Sequence, residues 1–183
     1  MKIEQLEHLI RAAAEITGDE IVVIGSQAIL GEIHDAPEAL LESMEADLFP
    51  RYQPARAIEI DGVLGDGSSF HEQFGYYAHG IGPETPVPPA GWESRLKRVV
   101  FAPNKRWKEP AIAWFLHPDD LVLAKLAAGR ERDVSYAEAA IREGLVDIDN
   151  LHRGVKLIPE THRTTARTSL ERAIAAARRP PRG

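Results

Sequence analysis

The alternation of apolar and polar positions divides most of the chain into short strands and amphipathic helices. Residues 2–16 place leucine, isoleucine and alanine on one face at helical spacing, and Gly18 follows them. This pattern predicts an amphipathic helix packed on the back of a sheet. The next apolar run, Ile21–Ile24, is short, β-branched and ended at once by Gly25. Such a run predicts a buried strand.

Further along the chain the same criteria predict three more strands and six more helices. The strands are expected at residues 76–81, 95–101 and 111–116. The helices are expected at residues 54–64, 68–74, 118–129, 135–142, 149–157 and 160–178, the last ending at Arg179-Pro180-Pro181. Four prolines in residues 83–91 predict a surface loop beside the sheet.

Two polar motifs lie between Ile21 and Pro50. Ser26 directly follows Gly25, and serine is a favoured helix N-cap. Free N–H groups and a hydroxyl at a helix N-terminus bind phosphate without a cationic side chain. Glu45 and Asp47 are two residues apart in an expected strand, so both carboxylates point to one face. This pair predicts a divalent-metal site; the alternative is two solvated acids on an exposed strand edge.

Composition narrows the class of protein. The 183 residues suffice for one domain with a sizeable core. The absence of cysteine excludes disulfides and thiolate zinc sites, and the chain has no signal-peptide core and no apolar run of membrane-spanning length. We therefore expect a soluble, cytoplasmic protein that does not contact a membrane.

Charge is distributed unevenly along the chain. The formal net charge is -6, yet residues 151–183 contain eight Lys and Arg against two acids. A basic end on an acidic body suits a nucleic acid or an acidic partner. The alternative is that these cations oppose the dipole of a C-terminal helix.

The order of a strand, Gly25-Ser26, a helix and a strand with Glu45-Ala46-Asp47 resembles the nucleotidyltransferase fold of polymerase-β-like enzymes. Further matching segments are residues 64–71 (LGDGSSFH), residues 74–77 (FGYY), Asp119-Asp120-Leu121, residues 125–130 (KLAAGR) and Asp133. Within that superfamily the chain most resembles the bacterial nucleotidyltransferase families that are grouped with the AbiEii-type toxins of toxin–antitoxin systems.

The resemblance implies an α/β (α+β) architecture, the minimal nucleotidyltransferase fold, in which helices flank a mixed sheet. It implies a catalytic domain at residues 1–133 and a C-terminal helical segment at residues 134–183 packed on it. Glu45 and Asp47 would be catalytic residues that hold Mg²⁺ or Mn²⁺. The superfamily usually has a third metal-binding acid on a neighbouring strand, and here that position is either taken by His79 or has no ligand.

The resemblance also implies how the nucleotide is bound. Gly25 and Ser26 would bind it, Lys125 would contact its triphosphate, and Asp133 would orient that triphosphate or act as a base. From the residues alone, Lys125 instead extends to solvent and Asp133 caps a helix that starts at Val134. Both interpretations remain open from the sequence.

Two functions follow. The first is a metal-dependent nucleotidyltransferase that moves a nucleotide from an NTP to an RNA, such as tRNA, or to a protein acceptor, as the toxin that an antitoxin protein neutralises. The alternative is a catalytically degenerate fold that keeps Gly25-Ser26 and binds a nucleotide or a protein partner without turnover. The choice between these two functions depends on the third metal-binding acid, which this sequence lacks at the expected position.

Overall fold

A single mixed sheet forms the centre of the molecule. The computed structural model describes residues 1–180, so Pro181 of the predicted helix end lies outside the described residues. The strands are β1 (Ile21–Ile24), β2 (Glu45–Pro50), β3 (Tyr77–Gly80), β4 (Lys97–Phe101) and β5 (Ala111–Phe115), in the order β3-β2-β1-β5-β4. β1 is parallel to β5 and antiparallel to β2, β2 is parallel to β3, and β4 is antiparallel to β5. The predicted α/β class with a mixed sheet is confirmed.

Strand directions gather the polar motifs at one end of the sheet. Because β1 and β5 are parallel, the chain leaves both strands at the same end, at Gly25 and at Leu116. β2 and β3 run the opposite way, so Glu45 and Tyr77 begin these strands at that end. This end of the sheet therefore carries both the turn after β1 and the first residues of β2 and β3.

Three helices flank the sheet on its back: α1 (Ile3–Thr17), α2 (Ala57–Leu64) and α3 (Ser69–Phe74). α1 packs against β2, β5 and α2, and α2 packs against β3. A Cβ atom on Gly80 would lie 2.0 Å from the carbonyl oxygen of Ala57, so α2 touches the backbone of β3 directly. Side chains alternate along a strand, and His79 therefore points to the opposite face. The predicted packing of the first helix on the back of the sheet is confirmed.

Four helices complete the chain: α4 (Pro118–Ala128), α5 (Glu131–Arg142), α6 (Ile148–Gly154) and α7 (Glu160–Ala177). α7 packs against both α4 and α5 and buries Ala166, Leu170 and Ala173. α5 starts at Glu131, so the predicted division after residue 133 falls inside a helix. None of the helices in residues 1–180 is long and apolar enough to cross a membrane.

Two predicted helix starts are wrong. After β1 the chain forms a 3-10 helix, Ser26–Gly31, whose N-cap is Gly25 and not Ser26. Ser26 does not cap because its hydroxyl instead accepts a hydrogen bond from Lys125. α5 is capped by Arg130, and Asp133 lies in its first turn, so Asp133 is not the cap of a helix that starts at Val134.

The connection between β3 and β4 spans the width of the sheet, because these strands form its two edges. This segment, residues 81–96, contains the predicted proline-rich loop and crosses on the side of the C-terminal helices. The amide of Ala90 donates to the carbonyl of Leu157, and the Arg95 guanidinium forms an ion pair with Asp120 at 2.8 Å. The loop is thus fixed to the helices at its far end.

Candidate active site

Four polar side chains from two neighbouring strands share one face of the sheet. Glu45 pairs in register with Tyr77, and Asp47 pairs with His79. His79 Nδ1 lies 3.5 Å from Asp47 Oδ1 and 3.9 Å from Glu45 Oε1. One potential ligand atom from each of these three residues lies within 4.8 Å of the others. The structure thus brings together the two acids and the histidine that the sequence places on neighbouring strands.

Tyr77 orients one of the carboxylates. Its hydroxyl donates a hydrogen bond of 2.9 Å to Glu45 Oε2. This bond raises the pKa of Tyr77 to about 12, because the carboxylate stabilises the protonated phenol. Sequence reasoning did not assign this residue, although its position two residues before His79 in a strand places both side chains on one face.

Gly25 is required by its contact with Asp47. Its φ of 65° and ψ of -167° lie in a region that only glycine adopts without strain. A Cβ atom at this position would lie 1.9 Å from Asp47 Oδ2. The backbone of Gly25 therefore contacts the Asp47 carboxylate directly, and a residue with a side chain would not fit at position 25.

The Asp47 carboxylate is held in an unfavourable environment. Burial is the main cause that raises its pKa to about 6, the negative charge of Glu45 adds to the shift, and His79 and Lys125 oppose it. Two carboxylates so close repel each other when both are ionised. A divalent cation between them would remove this repulsion.

The donor set is suited to such a cation. Glu45 and Asp47 supply carboxylate oxygens, which are the ligands that Mg²⁺ and Mn²⁺ prefer. His79 supplies an imidazole nitrogen, a ligand more typical of transition metals than of Mg²⁺. The cluster therefore fits a divalent ion, and the histidine shifts its preference away from Mg²⁺ alone.

Lys125 of α4 reaches the turn after β1. Its Nζ donates to Ser26 Oγ at 3.0 Å, although 99 positions separate the two residues. The ammonium also lies 3.5 Å from Asp133 Oδ1 and 4.4 Å from the centre of the Tyr136 ring. Burial lowers the pKa of Lys125, and the Asp133 carboxylate counteracts this shift. The side chain does not extend freely to solvent, since only 14% of it is exposed.

Asp133 anchors two cations. Its carboxylate is 1% exposed and contacts the Arg130 guanidinium at 2.5 Å as well as Lys125. Tyr136, one turn further along α5, donates from its hydroxyl to the carbonyl of Ser26 at 3.1 Å. α5 thus fixes both Lys125 and the backbone of the turn after β1.

A cavity of about 650 Å³ joins these groups. Its lining includes the acidic Glu45 and Asp47 and the basic Lys125, Arg130 and Arg132. Its apolar wall includes Leu40, Ile81, Pro86, Val87, Leu116 and Leu121. All six predicted site residues line this cavity, namely Gly25, Ser26, Glu45, Asp47, Lys125 and Asp133. His79 is not among the lining residues and approaches the carboxylates from the side.

The cavity offers both kinds of charge that a metal-bound polyphosphate would require. A cation held by the carboxylates, together with the lysine and arginine side chains, would neutralise adjacent phosphates, and the apolar wall suits a planar base. Tyr136 also lines the cavity and was not assigned from the sequence. Its spacing of three residues from Asp133 on a helix is the signal that places both on one face.

Comparison with known proteins identifies a family for this chain. A family model described as a nucleotidyltransferase of unknown function (DUF6036) matches residues 2–171. A search of curated proteins found no match. A search of solved structures also found none.

Proposed function

This chain belongs to the nucleotidyltransferase family that its residues 2–171 match, and from this premise we propose that it moves a nucleotide from an NTP to an RNA or protein acceptor in a metal-dependent reaction. The observation that carries the proposal is one cavity lined both by the carboxylates of Glu45 and Asp47 and by the Lys125 ammonium. A metal–triphosphate complex requires both kinds of charge: carboxylates for the metal and a cation for the phosphates.

The reaction is an in-line displacement at the α-phosphorus. The acceptor oxygen forms a bond to this phosphorus and loses its proton, while the bond to the bridging oxygen breaks and pyrophosphate leaves. Glu45 and Asp47 would hold Mg²⁺, or Mn²⁺ when His79 takes part, and the ion would supply charge neutralisation at the reacting oxygens. Tyr77 keeps the Glu45 carboxylate oriented for this role.

The basic residues of the cavity would bind the triphosphate. Lys125 and Ser26 are already joined by a hydrogen bond, so a phosphate oxygen that enters between them finds both donors in place. Arg130 and Arg132 also line the cavity and would add charge-assisted contacts. Asp133 is a positioning residue, because its carboxylate is 1% exposed and is held by Lys125 and Arg130.

A cellular role as the toxin of a toxin–antitoxin pair belongs to the same proposal. It is supported by the order of Gly25-Ser26, Glu45-Ala46-Asp47, Lys125 and Asp133 along the chain, which resembles the AbiEii-type toxins. The protein would act in the cytoplasm on tRNA or a protein, and an antitoxin protein would neutralise it. Induced expression should then arrest growth, and Asp47→Asn should abolish the arrest.

One observation favours a second function. His79, and not a third acid, faces Asp47 across the strand pair. With only two carboxylates the cluster holds a second metal ion weakly, and the fold would then act as a nucleotide- or protein-binding module.

A transfer assay distinguishes the two functions. The purified protein is incubated with each α-labelled NTP, Mg²⁺ or Mn²⁺, and either total tRNA or cell lysate. We expect label on a macromolecule with the wild type and none with Asp47→Asn. Metal-dependent NTP binding without any transfer, across all four NTPs and both metals, would establish the binding module instead.

A further inference from the structure

A second polar feature lies on the same face of the sheet as the carboxylates. Trp114 of β5 pairs with Val22 of β1, and Val22 pairs with Phe49, two residues along β2 from Asp47. Residues paired across strands point to the same side, and so do alternate residues of one strand. Trp114 is therefore on the face that carries Asp47.

Two arginines and a tyrosine surround this tryptophan. The Arg51 Cζ lies 3.6 Å from the centre of the Trp114 ring and 5.5 Å from that of Tyr52. Arg98 of the edge strand β4 pairs with Trp114 in register, and its Cζ lies 5.9 Å from the ring. We call these four residues the Arg–Trp surface. Arg98 is exposed, and Tyr52 is 66% exposed.

Neither guanidinium group has an acidic partner among the described residues. Arg51 and Arg98 donate no side-chain hydrogen bond within residues 1–180, whereas Arg56, Arg95 and Arg130 are all paired with carboxylates. Two acids lie beside the Arg–Trp surface: Glu20 accepts hydrogen bonds from the indole of Trp114 and the hydroxyl of Tyr52, and Asp19 accepts one from the backbone amide of Tyr52. The Nε of Arg51 is buried without a partner, whereas the exposed guanidinium of Arg98 has donors available for a phosphate.

We propose that the Arg–Trp surface binds the sugar–phosphate backbone and bases of a single-stranded RNA whose end enters the active site. The inference rests on the proposed function and specifies its acceptor. Unpaired arginines for phosphates beside exposed aromatic rings for bases are the combination that single-stranded nucleic acids require. An acidic protein would use the arginines but would gain nothing from base stacking on Tyr52.

The position of the surface agrees with this role. Arg51 is four residues beyond Asp47, which corresponds to about 13 Å along an extended chain. This distance corresponds to a few nucleotides of a single-stranded RNA.

The other basic region of the chain is a poorer candidate. In α7, Arg163 donates to the carbonyl of Ile158, and Arg172 forms an ion pair with Glu131 at 2.7 Å. Their donors are thus already used within the protein. Arg167 is exposed on α7, which makes it a suitable control position.

RNA binding can be measured without any nucleotidyl transfer. The probe is a fluorescein-labelled short oligouridylate, and its anisotropy is followed with the full chain in the absence of NTP. We expect Arg51→Gln/Arg98→Gln to bind roughly tenfold more weakly, since a loss of this size corresponds to one or two phosphate contacts. The slope of log K against log salt should fall by about 1.4, which is two contacts at about 0.7 each.

Matched variants make the result specific. Arg167→Gln removes the same charge from another surface and should leave the affinity within twofold of the wild type. Arg51→Lys/Arg98→Lys keeps both charges and should recover part of the salt slope. Equal losses in the Arg167→Gln variant, or unchanged binding in the double glutamine variant, would overturn the proposal. The proposal would also be overturned if polyglutamate of the same total charge bound as tightly as the oligouridylate, because the surface would then be assigned to an acidic protein.

The proposed function is tested separately in the same proteins. Calorimetric affinity for Mg²⁺–NTP should be unchanged in the double glutamine variant, because neither arginine lines the cavity. If the double variant loses RNA but the wild type binds no NTP, the proposed function fails while the RNA surface stands. If the wild type transfers nucleotides but the double glutamine variant binds RNA as tightly as the wild type does, only the proposal of RNA binding at the Arg–Trp surface fails.

Discussion

Asp47 determines the electrostatics of the site at the scale of single residues. Its carboxylate is confined by the backbone of Gly25 on one side and by Glu45 and His79 on the other. A carboxyl group whose pKa is raised in the folded protein binds protons more tightly there than in the unfolded chain. Its ionisation therefore destabilises the fold as the pH rises from about 4 towards 6, and this cost remains at neutral pH.

The first prediction is that Asp47→Asn removes metal binding yet stabilises the protein. The amide keeps the shape of the side chain but cannot ionise, so without metal at pH 7 the free energy of unfolding should increase by on the order of 2 to 3 kcal/mol. Calorimetry should show no Mg²⁺-dependent NTP binding. Denaturation at pH 4 should reduce the difference from the wild type, because Asp47 is then protonated. Unchanged Mg²⁺–NTP affinity would contradict the assignment of Asp47 as a metal ligand.

A second prediction concerns Gly25. In Gly25→Ala the new Cβ would meet Asp47 Oδ2 at 1.9 Å, so the carboxylate must move away from Glu45 and His79. We expect metal affinity to fall at least tenfold, a loss of about 1.4 kcal/mol. Gly67→Ala is the control, because Gly67 also has a positive φ of 72° but a Cβ there would contact nothing within 4 Å. Equal metal affinity in the two variants would show that the contact with Asp47 is unimportant.

At the scale of secondary-structure elements, the site depends on how α4 and α5 meet the turn after β1. Lys125 comes from α4, while Asp133 and Tyr136 come from the first two turns of α5. Both helices reach the Ser26 segment, one through its hydroxyl and the other through its carbonyl. The proposed triphosphate site is thus formed by three elements and not by one motif.

We expect Lys125→Met to separate folding from phosphate binding. Methionine keeps the apolar stem of the side chain. Because methionine is uncharged, it has no desolvation cost of the kind that lowers the pKa of Lys125. Asp133 retains Arg130 as its partner. Thermal unfolding should change little, whereas NTP affinity should drop by roughly 1.5 to 3 kcal/mol, the contribution of a hydrogen bond to a charged group.

Lys156→Met provides the control for this variant. Lys156 is an exposed lysine outside the cavity, so its substitution should leave NTP affinity unchanged. If Lys125→Met binds NTP as tightly as the control does, Lys125 does not contact the triphosphate.

Local patterns predicted the elements better than the contacts between them. Ile21–Ile24 was predictable because four β-branched residues end at a glycine, and Glu45 and Asp47 were predictable as a pair because strands alternate. The role of Ser26 was not predictable, because its hydroxyl binds a lysine 99 positions away and so does not cap its own helix. Periodicity reports which face of an element is apolar, but not which other element covers it.

At the scale of the whole molecule, the cavity lies between the sheet and the C-terminal helices. α4 buries Leu121, Val122 and Leu126, and α7 packs on this helix. The division after residue 133 that the sequence suggested would therefore separate Tyr136 from Ser26 and expose the apolar side of α4.

The last prediction is that a fragment of residues 1–133 fails to fold. It would end inside α5 and lack α6 and α7, so we expect it to aggregate and to bind no Mg²⁺–NTP. Size-exclusion chromatography and circular dichroism provide the measurement, and a chain that ends at Arg179 is the control. A monodisperse fragment with full nucleotide affinity would instead establish residues 1–133 as an independent domain.

The parallel pairing of β1 with β5 has a consequence for synthesis on the ribosome. Ile21 pairs with Ala113, so one edge of the central strand has no partner until more than ninety further residues have been made. At 5 to 20 residues per second this delay is roughly 5 to 20 s. During that time the nascent chain presents an open apolar strand edge, of the kind that promotes aggregation, and has no complete site. A chaperone or a partner protein that binds this edge would therefore meet the chain before any nucleotide can.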